Sequence, residues 1–181
     1  MSVTTVRPRV SLPVCAGSTE LEITVDARLD YTSSEILQKF VKHINSAAAA
    51  VPKGTLPLAT VNLMLTRASQ INGCSVCLDM HTKDAAHAAE TPVRLNLVAA
   101  WRDTKVFTDA ERAALELTEQ GTRIADGAGG VTDEAWANAA KYYDEDQLAA
   151  LVCTIALINS YNRLNVISQN QGGDYQPGQW G

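Results

Sequence analysis

Residues 67–84 read RASQINGCSVCLDMHTKD. Asn72-Gly73 breaks a helix that opens near Pro57 and carries Leu58, Val61, Leu65 and Ala68 inward. A new helix follows at once, from about Ser75 to Ala89, so Cys74 falls at its first turn. Cys77 stands three residues on and His81 four further. Positions i, i+3 and i+7 share one helical face, so both sulfurs and the imidazole converge. The free amides and positive dipole end of a helix N-terminus favour a thiolate. An unperturbed cysteine, pKa ~8.5, is only about 3% thiolate at pH 7, whereas a pKa of roughly 6.5 makes it about three-quarters thiolate. His81 can accept a proton or pair with the thiolate. The C-x-x-C spacing also lets the two sulfurs close a disulfide within one turn.

Three chemistries fit this constellation. One is a reactive dithiol tuned by His81. Another is a zinc site with Cys74, Cys77 and His81 as three ligands and an open fourth position. The third is two ordinary buried thiols beside a hydrogen-bonded histidine. Against the metal, the sequence has no second C-x-x-C and no H-x-x-x-H, and His43 and His87 lie on separate helical patterns. The expectation is therefore no metal and no cofactor.

Outward from this hairpin the patterning stays helical. Thr32-Ser33-Ser34-Glu35 has the form of a capping box, after which Ile36, Phe40, Val41, Ile44 and Ala48 keep to one face until Pro52 and Gly54. Further helices start at Pro92 and at the capping box Thr108–Glu111. Gly127, Gly129 and Gly130 make a loop before a short helix around Asp133 to Tyr142. Asp144 and Gln147 frame the last helix, with Leu148, Leu151, Val152, Ile155, Ile158, Tyr161 and Ile167 at helical spacing. The predicted fold class is an all-α helical bundle.

Both ends differ from the middle. Residues 1–26 read as an N-terminal extension, irregular or loosely docked: Pro8 and Pro13 punctuate it. Leu21, Ile23, Val25, Ala27 and Leu29 alternate with polar neighbours as a lone short strand does, and a lone strand needs a partner. Residues 27–170 read as the helical domain, and 171–181, rich in Gly, Gln and Asp, as a flexible tail.

Composition narrows the function. A chain of 181 residues is a single domain, and at this size about 70% of the unfolded surface is buried on folding. Hydrophobic residues at 46% and charged residues at 19% exclude a disordered chain. A net charge of -5 argues against nucleic-acid or anionic-membrane binding, which need a basic patch. No run approaches the 18 or more apolar residues of a membrane span, and the N-terminus lacks a signal-peptide pattern. The expected compartment is the reducing cytoplasm.

Four cysteines are too few for a disulfide scaffold. Cys153, amid Leu151, Val152 and Ile155, reads as a buried inert thiol, and Cys15 lies in the extension. Trp101, Tyr142, Tyr143 and Tyr161 read as core or subunit-interface aromatics. Arg163, beside Asn162 on a mostly apolar helix, calls for an interhelix or intersubunit salt bridge first and a substrate contact second. Asp79 reads as a solvated or capping carboxylate, and Asp144-Glu145-Asp146 as an acidic helix start.

The run Ser69-Gln70-Ile71-Asn72-Gly73-Cys74, continued by Cys77-Leu78-Asp79-Met80-His81, resembles the signature of the alkylhydroperoxidase D-like branch of the carboxymuconolactone decarboxylase family. Ala27–Tyr31, Lys42–Asn45, Ala100–Arg102 and Ile158–Leu164 extend the resemblance over roughly residues 27 to 168. It implies an all-α bundle that oligomerises, commonly as trimers or hexamers. It also implies a thiol peroxidase acting on hydrogen peroxide or organic hydroperoxides. Cys77 is then the peroxidatic residue that becomes a sulfenic acid, Cys74 the proton donor and resolving thiol, and His81 a proton relay. The implied partners are a lipoylated or thioredoxin-like electron donor, or a peroxiredoxin.

Two positions depart from the family pattern. Many relatives carry a relay Glu where this chain has Asn62, an amide that accepts no proton at neutral pH. Val76 stands where some relatives have His. A weakened peroxidase is one outcome; a non-enzymatic redox-responsive protein or dithiol carrier is the other. A decarboxylase or lactone enzyme, suggested only by the family name, has no use for the dithiol.

Overall fold

The computed structural model describes residues 27–29, 34–127 and 129–179. Among them are seven α-helices and no strand: α1 (Glu35–Ala48), α2 (Leu58–Asn72), α3 (Ser75–His87), α4 (Pro92–Leu97), α5 (Asp109–Thr122), α6 (Asp133–Ala139) and α7 (Glu145–Ser168). A 3₁₀ segment, Val98–Asp103, links α4 to α5. The all-α expectation holds for the described residues. Most of the strand-like alternation lies outside them; of the rest, Arg28 donates its amide to Ser168 O at the end of α7.

Local chemistry sets the helix ends. Thr108 and Glu111 form a reciprocal capping box on α5, as do Asp144 and Gln147 on α7. α1 departs from expectation: its cap is Ser34, whose side chain accepts from the amide of Leu37. Glu35 thus sits in the first helical position and pairs with Lys39 at 2.6 Å instead of reaching back to cap. Thr32 lies outside the described residues.

α2 is the central helix, packed by α3, α5 and α7. On one side Met64 meets Leu117, Tyr143 and Leu151; on another, Leu63 meets Val98, Trp101 and Leu115. Fully burying a side chain such as Leu63 contributes about 1.5–3 kcal/mol. Because α2 is enclosed on three sides, it has no single inward stripe. Leu58 is exposed and Val61 and Leu65 are half-buried, while Thr60, Asn62, Thr66 and Ser69 are buried with Ala68. An interhelical ionic network flanks this core: Glu119 of α5 receives Arg67 of α2, Arg102 and the Trp101 indole N–H. Trp101 and Tyr143 are core aromatics, the latter donating to Ala110 O, whereas Tyr142 is exposed.

α7 is long and apolar enough to cross a membrane, but buried Asn159, Asn162 and Asn165 and its packing on α2 and α5 make it a core helix. Its inward face is Ala150, Leu151, Thr154, Ile155, Ile158 and the three asparagines. Val152, Ile167 and Cys153 therefore point outward. The expectation of a buried Cys153 is corrected: it is an exposed free thiol. The interhelix salt bridge expected of Arg163 is not formed among the described residues: Arg163 is exposed and donates to Asn159 O and Oδ1 on its own helix.

Within the segment expected as a flexible tail, residues 172–178 are fastened along α3. Asp79 accepts the amides of Gly173 and Tyr175, and Lys83 donates to the carbonyls of both. Tyr175 is buried, and its hydroxyl donates to Asp84. Gly172 passes so close that a Cβ there would collide with Ser75 O.

Candidate functional site

Gly73 ends α2 with φ +67, the left-handed conformation that favours glycine, and a Cβ there would meet nothing. The residue is demanded by backbone conformation alone. The turn brings Cys74 to the N-cap of α3, where its sulfur accepts the amide of Cys77 at 3.3 Å. Cys74 and Cys77 stand at disulfide-bonding distance, with Cα atoms 5.4 Å apart. Each is only 1% exposed, packed with Ala68 of α2 and Ile158 of α7.

A second donor serves the other sulfur. Asn165 of α7 points Nδ2 at Cys77 Sγ (3.5 Å) and at Tyr161 O (3.1 Å). Its Oδ1 accepts from Asn170 Nδ2, so this amide is held in orientation from three directions. Sequence reasoning missed Asn165. The available signal was asparagine at every third position, 159, 162 and 165, along an otherwise apolar helix.

His81 lies one turn after Cys77 on α3 and is buried, with no protein partner for Nε2. Burial pushes its pKa down to about 4, with the Asp84 carboxylate only partly opposing. A neutral imidazole at pH 7 is a proton acceptor, one of the two roles the sequence left open. Asp79 serves the tail; Lys83, bonded to its carboxylate, and then the two tail amides hold its pKa below the ordinary value against partial desolvation.

Asn62 is buried on α2 but makes no hydrogen bond to Cys74, Cys77 or His81. Three of the four expected site residues thus lie on α3, Cys74 at its N-cap, Cys77 in its first turn and His81 at its middle, and the fourth lies on the neighbouring helix. Cys74 and Cys77 join each other, and among the described residues no three His, Cys, Asp or Glu side chains stand together as metal ligands.

A pocket of about 250 Å³ opens onto Cys74, lined by Gly73, Ser75, Asn165, Val166 and the 169–171 segment. Cys77 is not part of that lining.

A dithiol at a helix start, with a neutral buried histidine behind it in an all-α fold, defines a helical dithiol protein. Comparison with known proteins carries this further. The Carboxymuconolactone decarboxylase family pattern matches residues 35–120. YdfG of Bacillus subtilis (strain 168), itself uncharacterized, is 35% identical over 137 residues, 76% of this chain and 92% of YdfG. ATU0492 of Agrobacterium tumefaciens is a protein of unknown function named for antioxidant defence as an AhpD. It superposes at a TM-score of 0.74 and 28% identity, covering 83% of this chain and 100% of that one. The debrominase Bmp8 shares the fold at a TM-score of 0.66 and 17% identity, over 79% of this chain and 74% of its own. The present chain belongs to the carboxymuconolactone decarboxylase family, in its alkylhydroperoxidase D-like branch.

Proposed function

We propose that the protein is a thiol peroxidase that reduces hydrogen peroxide or small organic hydroperoxides through Cys74 and Cys77. The observation that carries this reading is the pairing of two buried sulfurs, each with its own hydrogen-bond donor, beside a histidine kept neutral by burial. The Cys77 thiolate attacks the O–O bond, becomes a sulfenic acid and releases an alkoxide or hydroxide, which takes up a proton. Cys74 then attacks the Cys77 sulfur, forming the disulfide and releasing water. His81 accepts the thiol proton and returns it to the leaving oxygen. A thiol donor, carried on a lipoylated or thioredoxin-like protein, restores the dithiol; a peroxiredoxin downstream is the other partner compatible with this chemistry.

Asn62 supports a second reading, a dithiol carrier or redox-responsive protein without catalytic turnover. With an amide where a relay carboxylate would stand, proton transfer rests on His81 and the helix start. Steady-state peroxide consumption separates the two: saturating turnover belongs to the peroxidase, a single stoichiometric oxidation to the carrier.

We also propose a homo-oligomer, a trimer or hexamer. Ile36 and Phe40 lie one turn apart on α1 and are 80% and 50% exposed, and α7 shows Val152 and Ile167 to solvent. Such apolar faces on outer helices are the surfaces subunits cover.

A further inference from the structure

We infer that Cys74 is the sulfur a reducing thiol attacks, that it is reached through the pocket beside Gly73, and that Asn165 holds the departing Cys77 thiolate. This rests on the proposed disulfide cycle but concerns its reductive half.

Thiol–disulfide exchange runs in line: the incoming thiolate approaches one sulfur from the side opposite the other. The pocket beside Gly73 opens on the Cys74 side. The pocket is lined by Cys74, while Cys77 lies behind Asn165, Ala68 and Ile158. The opening exists because of local backbone chemistry. Gly73 carries no side chain at the rim, and the 169–171 segment, turned at Gln169 by a positive φ of 55, forms the opposite wall.

In the first step an external thiolate bonds to Cys74 Sγ. The Cys74–Cys77 bond breaks, and its electron pair leaves on Cys77 Sγ. The leaving sulfur is the one that receives Asn165 Nδ2, already aligned by Tyr161 O and Asn170. A lower leaving-group pKa speeds departure, and a hydrogen bond to the charged form lowers it. In the second step another thiol, from the same donor or a second molecule, attacks the donor sulfur of the mixed disulfide. Cys74 leaves as a thiolate facing the Cys77 amide and takes up a proton. The donor loses two electrons in all and the cysteine pair gains them. Cys77 thus re-enters the cycle already ionised.

The pocket also selects the donor. Its wall bears amides, a hydroxyl, an isopropyl group and no charged side chain. At about 250 Å³ it falls below the ~300–1,000 Å³ of drug-sized ligand sites. The fit is a slender neutral thiol chain rather than an anionic one.

The test needs no peroxide. Oxidised wild-type protein is mixed with excess N-acetylcysteamine, quenched in acid at early times, alkylated and mapped by mass spectrometry. The expected product carries the N-acetylcysteamine adduct on Cys74 and the alkyl group on Cys77. An adduct first on Cys77, or reduction with equal adducts on both, overturns the inference even where peroxidase turnover is intact. Adduct on Cys74 in a protein that never turns over peroxide leaves the inference standing and removes the peroxidase reading. At equal thiolate concentration, thioglycolate is expected to react at least tenfold more slowly; equal rates overturn the neutral-donor assignment. For Asn165, the Cys77 thiolate absorbance is titrated in Cys74→Ser with and without Asn165→Ala. The substitution is expected to raise the Cys77 pKa by about one unit and slow disulfide reduction about fivefold. An unchanged pKa contradicts the role, and the wild-type mapping stands if the double variant fails to fold.

Discussion

Asn72 Nδ2 donates to Asn162 Oδ1 at 2.8 Å, joining the last residue of α2 to the middle of α7 directly behind the cysteine turn. The same asparagine, Asn162, donates to Ser69 Oγ at 3.1 Å, and Asn72 also donates to Asn159 Oδ1. Asn159 in turn donates to Thr122 of α5. Ser69 and Asn72 are thus the structural half of the S-Q-I-N-G-C run: they anchor the end of α2 so that Gly73 can present Cys74 to α3.

Asn162→Ala removes both bonds at once, leaving Asn72 its bond to Asn159 and Ser69 its bond to Leu65 O. A hydrogen bond contributes about 0.5–1.5 kcal/mol net, and Asn162 is completely buried. The expected loss is about 1–3 kcal/mol of unfolding free energy, read as a lowered urea midpoint at unchanged slope. A change within 0.5 kcal/mol, on the order of an ordinary surface substitution, contradicts this anchoring of α2 to α7.

His81 makes stability pH-dependent. Its folded pKa, about 4, lies below the unfolded 6.5, so the unfolded chain takes up the proton first. Its contribution to stability is full above pH 6.5, is lost progressively as pH falls toward 4, and changes no further below that. His81→Gln is expected to flatten the decline in Tm across that window. An equally steep decline in the variant means that other groups carry it.

Asn62→Glu restores a carboxyl to a buried place on α2. Burial raises a carboxyl pKa, which suits it to proton transfer near neutrality. General acid–base help is worth about 10²–10⁴-fold, so kcat for peroxide is expected to rise about tenfold or more, with fold and oligomer unchanged. A kcat and pH–rate profile identical to wild type place the relay elsewhere.

For the oligomer, light scattering at micromolar concentration is expected to exceed the 19.4 kDa of one chain. Phe40→Glu with Ile36→Lys is expected to shift the mass toward the monomer. A clean monomer of the unaltered protein rules the assembly out.

The helix order and the α3 placement of Cys74, Cys77 and His81 were legible because they depend on short-range rules. Asn72-Gly73 forces a break, Pro92 starts a helix, and Thr108–Glu111 and Asp144–Gln147 cap themselves. What was not legible depends on which neighbours enclose a helix. Cys153 sits among apolar residues in sequence, yet α7 buries Thr154 and Ile155 and turns Cys153 outward. The tail's Gly, Gln and Asp look like loose chain, but Asp79, Lys83 and Asp84 on α3 satisfy its backbone and Tyr175. Asn165 could be matched to Cys77 only once α7 lay across the start of α3.

The central claim is a catalytic dithiol, and steady-state peroxide consumption measures it most directly. With dihydrolipoamide recycled by its reductase, the wild-type protein is expected to consume hydrogen peroxide or cumene hydroperoxide with saturating kinetics. Cys77→Ser is expected to show none, and Cys74→Ser to stall after one turnover with a dimedone-reactive sulfenic acid on Cys77. Wild-type consumption no faster than Cys77→Ser, at any thiol concentration, contradicts the account.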